Sequence, residues 1–579
     1  MAESTRISRR AFLRGSALVA ATSLLAACAP AAAPAPTAAP AKPAADPKPT
    51  DAAKPAAAPT TAPASKPAET AKPVAEAKPA AGEPKRGGQM SLAIISDPTF
   101  NPFTWPGQFS TVMAAKPLWS TLVKYEPGTM RAVPDLATSW EPAPDGLTWT
   151  FKLRQGVKWH DGAPFTAADV KFTIDNIMNP QVNALFRSNL VGLKGADVVD
   201  DQTVKLVLDK PFSSLPIQLG YNIAMAPKHL LDGKDLNTLE EYIQKPIGTG
   251  PFRIKEIVKG SYIAMEAFPD FYEGRPNLDG LVFKIVPEIN TQVAQLRTGE
   301  LDLALIEPPH KETLRNQQNL QFATVEQPNT FYFCLNNARE PFNDKRVRLA
   351  LTLGCNRQLM VERILRGEAP VAAGPYGTAF GEFQNKDLKP YPYDPERAQQ
   401  LLGEAGWKPG ADGIMEKDGK RMSFGFMVDK GNPTREQMAL ALQQDWKKIG
   451  VDIQIDVQEF NVYLRRGNAR PGDYDTRTGW RITAPDPDKT PEYTTEGSNN
   501  HYMYSNPEVD RLMEQGKIES DQKKRAEIYL KMQQLIYDDL PIIWVYYWTE
   551  IIALNKAIND LPQMGIRDSL TYTHQLWRV

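Results

Sequence analysis

Residues 29–84 set the first limit on what this chain can fold into. The stretch is almost entirely Ala, Pro, Lys, Thr and Glu, with no aromatic residue and no periodic apolar face. It cannot bury enough surface to offset the entropy of ordering, so it reads as a tether rather than a domain. Proline every few residues biases it toward polyproline II, with a fully extended reach of about 150 Å at roughly 3.1 Å per residue. It suits Pro-rich-motif grooves poorly, because Ala and Lys interrupt the pattern those grooves read. A folded body is expected from near Gly87 to Val579, too long for one compact core and therefore two or three domains.

Ahead of the tether, Ser8-Arg9-Arg10-Ala11-Phe12-Leu13-Arg14 precedes an apolar segment that ends at Leu25-Ala26-Ala27-Cys28. The segment is too short to span a bilayer permanently, and its basic flank and small residues are those of a secretory signal. The ending resembles a bacterial lipoprotein box. That resemblance implies a diacylglycerol on Cys28, which becomes the new N-terminus of a chain anchored by two or more acyl chains. A soluble export signal with an incidental cysteine is the plainer alternative. The twin arginine suggests export after folding. The expected location is the outer face of the bacterial cytoplasmic membrane, periplasmic or cell-surface.

Lys and Arg total 67 against 68 Asp and Glu, and the basic residues are scattered. Nucleic acid is therefore not an expected partner, since phosphate binding needs a concentrated basic face. No later segment approaches about eighteen apolar residues without charge. Cys334 lies in an apolar strand-like run and Cys355 near a helix end, so two buried thiols are expected in preference to a disulfide.

The periodicities describe an α/β body. Ser423 to Val428 alternates like a strand; Thr434 then caps a run with Met438, Leu442, Trp446 and Ile449 on one face, ended by Gly450. Val451, Ile453, Ile455 and Val457 follow with period two, giving a βαβ unit with a right-handed crossover. Thr166 with Asp169 has capping-box spacing before Val170, Ile174 and Ile177; Asp394-Pro395 opens a helix closed near Gly406; Asn506-Pro507 opens another. A polar helix after Asp521 stops at Pro541. Beyond it, Ile542 to Leu554 reads as a long aromatic strand recrossing between domains.

Catalytic signatures are lacking: no G-x-S-x-G, H-E-x-x-H, phosphate loop, G-x-G-x-x-G or clustered Cys/His set occurs. Ser520 and Lys523 spell S-x-x-K but open a solvated helix beside Asp521, Gln522 and Lys524. His160, His229, His310, His501 and His574 are dispersed, and read as single surface or core histidines. Asp486 and Asp488 lack the oxygen-rich loop a Ca²⁺ site requires and read as a proline-stiffened turn. No cofactor, metal site or enzymatic activity is expected.

A family resemblance rests on several blocks in order. Asp145-Gly-Leu-Thr-Trp-Thr-Phe-Lys-Leu-Arg-Gln-Gly-Val-Lys-Trp-His-Asp-Gly162 and Phe165-Thr-Ala-Ala-Asp-Val-Lys171 are followed by Gly248-Thr-Gly-Pro-Phe252 and Asn277-Leu-Asp-Gly-Leu-Val-Phe-Lys-Ile285. Leu296-Arg-Thr-Gly-Glu-Leu-Asp302, Phe342-Asn-Asp-Lys-Arg-Val-Arg348 and Tyr504-Ser-Asn-Pro-Glu-Val-Asp510 complete the set. Together they resemble the extracytoplasmic solute-binding proteins of peptide and nickel ABC importers, solute-binding family 5. The resemblance implies a bilobed α/β fold of the large three-domain, type II periplasmic-binding-protein class that closes on its ligand. Domain I would comprise residues 87–125, 242–327 and 546–579; domain II, inserted, 126–241; domain III, the second lobe, 328–545. A monomer is expected, working with permease subunits and their ATPases, since ligand held between two lobes couples binding to closure.

In peptide-binding members a Gly-Trp strand pairs with the peptide, and an aspartate three residues past the Trp meets the ligand ammonium. Here the pair is Gly479-Trp480, and the third position after it is Thr483, past Arg481 and Ile482. A neutral hydroxyl cannot supply that charge-assisted bond. Arg477 matches an arginine of some oligopeptide binders, and Arg481 adds a second cation that favours an anionic or carboxylate-bearing ligand. Alternatively both arginines pair with Asp473, Asp475 or Asp486. Asn101, Trp105, Tyr376, Asp486 and Tyr504 fall in segments that line the cleft in relatives, and the aromatics also suit sugar rings. Nickel is less suitable, because no histidine falls in the Gly-Trp strand. A peptide is the leading ligand and an oligosaccharide or other polar solute the alternative; an exported hydrolase or a peptide-binding receptor or chaperone are readings of other classes.

Overall fold

The computed structural model describes residues 84–579 apart from 105–107, 130, 191 and 481–484. The signal, Cys28 and the tether up to residue 83 lie outside the described residues, as do Trp105, Arg481, Ile482 and Thr483.

The first lobe begins with β1 (Gln89–Ile94) and α1 (Phe109–Leu118). A four-stranded antiparallel sheet follows from β2 (Ala137–Pro142), β3 (Thr148–Leu153), α2 (Ala167–Met178), β4 (Leu193–Asp200) and β5 (Thr203–Leu208), in the order β2-β3-β5-β4. Next come α3 (Leu215–Asn222), β6 (Phe252–Val258), β7 (Tyr262–Ala267), β8 (Gly280–Ile285) and β9 (Leu303–Ile306). The long β10 (Leu320–Leu335) leads into the second lobe. There the chain forms α4 (Pro395–Glu404), β11 (Ser423–Asp429), α5 (Pro433–Lys448), β12 (Asp452–Gln458), α6 (Phe460–Gly467) and β13 (Thr476–Trp480). After α7 (Pro507–Ile518) and α8 (Gln522–Asp539), β14 (Ile542–Asn555) returns to the first lobe.

One ten-stranded sheet runs through both lobes in the order β12-β11-β13-β10-β14-β9-β1-β8-β7-β6. Its continuity depends on β10 and β14, which pair antiparallel from Leu320↔Asn555 to Cys334↔Ile542. Their ladder shifts register between Glu326 and Thr330, where β10 carries Gln327-Pro328-Asn329. Proline donates no ladder bond, so a break in pairing is expected there. β14 is buried at both ends, Ile542–Tyr547 and Ile551–Leu554, and only half-covered at Trp548, Thr549 and Glu550 beside the shift.

Most helix starts agree with the sequence. Thr166 and Asp169 form the capping box of α2, and Asp394, Asn506 and Asp521 cap α4, α7 and α8 with their side chains. The start of α5 does not: Asn432, rather than Thr434, accepts from Arg435 N, with Pro433 in the first turn where its missing N–H costs nothing. The βαβ unit is present, β11 pairing parallel to β12 from Ser423↔Asp452 to Asp429↔Gln458. Met438, Leu442 and Trp446 are fully buried against it. Cys334 and Cys355 are buried and not joined in a disulfide, and burial pushes the Cys355 thiol up to about 12.

The sequence blocks around Trp159-His160 and Gly248-Thr-Gly250 meet in the first lobe. His160 Nδ1 accepts from Gly248 N at 3.1 Å, and its Nε2 lies 3.0 Å from the Gly250 carbonyl, which can only accept. The ring is therefore the neutral Nε2–H tautomer; burial, outweighing the Gly250 bond, lowers its pKa to about 4. A Cβ at Gly248 would fall 1.9 Å from Leu118 O, and one at Gly250 would fall 2.5 Å from Pro117 O. The glycines are there so that the loop can press on the end of α1.

Candidate ligand cleft

The strand that carries Gly479 and Trp480 lies inside the second-lobe sheet. β13 pairs antiparallel with β10, with Phe331↔Trp480, Tyr332↔Gly479 and Cys334↔Arg477 in register, and parallel with β11 through Met427↔Arg477. Alternation places Arg477 and Gly479 on the face shared with Tyr332 and Cys334. Gly479 is demanded by that face: a Cβ there would meet Tyr332 Cε2 at 2.3 Å and Cys334 Sγ at 3.0 Å.

Arg477 is only 6% exposed. Its Nη1 donates to Tyr463 Oη at 3.1 Å, and its guanidinium sits 5.4 and 5.1 Å from the ring centroids of Tyr463 and Tyr474. Its Nε has no hydrogen-bond partner among the described residues. The carboxylates nearby in sequence are engaged elsewhere: Asp473 with Arg466, Asp475 with Arg339 and Asp486 with Arg525. Rings and a phenol thus hold a cation whose burial ordinarily demands an anion.

Trp480 stands at the open end of the strand, half-buried. Arg435, from the first turn of α5, places its guanidinium carbon 3.4 Å from the indole centroid and is held there by Asp429 at 2.7 Å. From α6, the Tyr463 ring lies 5.8 Å away and nearly parallel, at 8°, and Phe460 lies 6.4 Å away at 22°. Sequence reading missed Arg435, Asp429, Phe460 and Tyr463. They belong to no motif, and only the βαβ crossover and the α6 turn bring them to Trp480.

The remaining sequence candidates are placed differently. Asn101 forms a local turn, its Oδ1 accepting from Phe103 N and Thr104 N while Nδ2 donates to Leu236 O. Tyr376 donates to Pro487 O at 2.6 Å. Tyr504 donates to Asp539 at 2.7 Å, where α8 ends. Asp486 is 2% exposed and accepts from both terminal nitrogens of Arg525, at 2.9 and 2.8 Å, and from Ser214 at 2.9 Å. Burial favours its neutral acid, but the Arg525 guanidinium and these donors hold its pKa below the usual carboxylate range. Asp488 bonds to Thr490 of the same turn. Among the described residues no group of three or more His, Cys, Asp or Glu could hold a metal ion.

Two α/β lobes joined by a crossing strand pair define a bilobed type II solute-binding fold. Residues 131–502 match the family described as bacterial extracellular solute-binding proteins, family 5 Middle, and the chain belongs to that family. It is 32% identical over 504 residues to the oligopeptide-binding protein AppA of Bacillus subtilis (strain 168), covering 86% of this chain and 92% of that protein. The solved structure of AppA from Bacillus subtilis in complex with a nonapeptide matches with a TM-score of 0.70 at 30% identity, covering 86% of this chain and 100% of that one. The dipeptide-binding protein of Escherichia coli (strain K12) is 30% identical over 488 residues, 79% of this chain and 89% of that protein. NikZ from Campylobacter jejuni in complex with Ni(L-His) matches at 27% identity and a TM-score of 0.70, covering 85% of this chain and 99% of that one.

Proposed function

We propose that this protein is the non-catalytic, substrate-binding component of an ABC importer, that it captures a peptide between its lobes, and that it hands the peptide to a membrane permease. The observation that carries the ligand class is Arg477, a buried cation for which no carboxylate among the described residues is a partner. A ligand carboxylate would supply the charge-assisted bonds it lacks. The peptide ligands named for the AppA and dipeptide-binding relatives agree with that chemistry. Against an oligosaccharide stacked on Trp480 stands Arg435, which already covers indole surface at 3.4 Å.

In this reading residues 87–125, 242–327 and 546–579 are domain I, 126–241 domain II and 328–545 domain III, and the protein acts as a monomer. Arg477, Gly479 and Trp480, with Arg481, Ile482 and Thr483, form the ligand strand. Asn101, Tyr376, Asp486 and Tyr504, whose polar atoms bond within the protein, shape the walls, and Trp105 adds an aromatic surface. Cys28 carries the lipid, and residues 29–86 let the body range near its permease at high effective concentration.

The test is mass spectrometry of what co-purifies with the native protein, followed by calorimetry with the species found. Peptides with a free carboxylate are expected; a sugar in the cleft, or turnover of the bound species, would replace this reading.

A further inference from the structure

The inserted segment 126–241 meets the second lobe through two adjacent serines. Ser213 N and Oγ both donate to Lys517 O, at 3.0 and 2.8 Å, capping a carbonyl in the last turn of α7 that has no helical partner. Ser214 is fully buried and occupies the N-cap position of α3. A serine there ordinarily accepts from the N–H groups of its own helix. Ser214 makes no such bond. Its hydroxyl instead donates to Asp486 Oδ1 at 2.9 Å and accepts from Arg525 Nη2 at 2.9 Å.

Asp486 and Arg525 both belong to the second lobe, and Arg525 is fastened there through Nε to Gly516 O at 2.9 Å. The ion pair can therefore survive opening of the lobes, whereas the bonds to Ser214 cannot. An interaction made in one conformation and absent in the other moves the equilibrium by its full differential free energy. Asp486 also follows closely on Trp480 in the chain, which ties the contact to the segment that carries the ligand strand.

We infer that Ser214 is a positioning residue for ligand capture: it latches the inserted segment onto the Asp486–Arg525 pair and sets the closed-to-open ratio without touching ligand. The inference rests on the capture-by-closure reading above, but not on the ligand being a peptide. With the latch, part of the closing free energy belongs to the protein, and the ligand supplies the remainder.

Double electron–electron resonance between one spin label in 126–241 and one in the second lobe reads the ratio directly. Ser214→Ala should raise the open fraction about ten-fold, the loss of a hydrogen bond to a charged partner. Ser214→Asp, which faces Asp486 with a like charge, should leave the lobes open. Dissociation of a probe tripeptide, Ala-Ala-Ala, from the Ser214→Ala protein should quicken by the same factor. Unchanged distance distributions in both variants, or a lowered melting temperature with no distance change, would overturn the latch. If wild-type protein fails to bind Ala-Ala-Ala, the peptide assignment is in question, while the distances in ligand-free protein still decide the latch.

Discussion

The Arg435 guanidinium carbon lies 3.4 Å from the Trp480 ring centroid, and the same guanidinium is ion-paired to Asp429 at 2.7 Å. The tryptophan that ends β13 is thus held by a charged clamp from the crossover helix α5. The clamp costs little, because a planar, weakly hydrated guanidinium stacks where an ammonium would not.

Replacing Trp480 with Ala should weaken peptide binding at least about 100-fold while destabilising the body by only about 2 kcal/mol, because the indole is half-buried. Calorimetry and urea unfolding separate the two. Unchanged affinity would remove Trp480 from the site.

Arg477→Met should divide stability from function. Removing a buried cation with no carboxylate partner among the described residues is expected to leave stability unchanged or raise it by about 1–3 kcal/mol. Affinity for a peptide with a free carboxylate should fall about 100-fold, and affinity for the same peptide amidated at that end should fall much less. Equal losses for both peptides would mean that Arg477 does not meet the carboxylate.

Gly248→Ala places a Cβ 1.9 Å from Leu118 O, a backbone atom that cannot rotate away. The variant should lose at least about 3 kcal/mol through forced displacement of the loop from α1. Gly260→Ala, where a Cβ meets nothing within 4 Å but φ is +73°, should cost about 1 kcal/mol. Chemical unfolding of the two variants side by side checks the order.

His160 makes stability depend on pH. Unfolded, its imidazole titrates near 6.5; folded, burial holds it at about 4. Between those values the unfolded chain binds the extra proton, so the contribution is complete above about 6.5 and declines as pH falls, by at most about 3 kcal/mol. His574, also lowered to about 4 by burial, acts in the same direction. Urea midpoints should drop from about pH 7 to about pH 5, and His160→Gln should show a shallower drop.

Cys28→Ser should release the protein from membranes to the soluble fraction. Retention in the membrane fraction would rule out lipid on that thiol as the anchor.

Much of the fold was legible because its signals are local. The capping box at Thr166 and Asp169, the Pro-led helices after Asp394 and Asn506, and the βαβ periodicity around Trp446 all depend on residues within one or two turns of each other. Even the misplaced cap of α5 was an error of local choice, since Asn432 followed by Pro433 offers a better cap than Thr434. The site was less legible. Tyr504 and Asn101 carry the right chemistry for a ligand, but the Tyr504 hydroxyl donates to Asp539 and the Asn101 amide nitrogen to Leu236 O, both far away in sequence.

The sequence by itself determined the order of elements, the family and the glycine-tryptophan strand, because short-range periodicity and the order of motifs encode those. Tertiary structure alone decided that Arg435 covers Trp480, that Arg477 is caged by tyrosines, and that Ser214 reaches Asp486 and Arg525 instead of capping its own helix. Each of these joins residues from separate elements. Their partners are chosen by how the sheet and its crossovers pack, and no spacing along the chain records that choice.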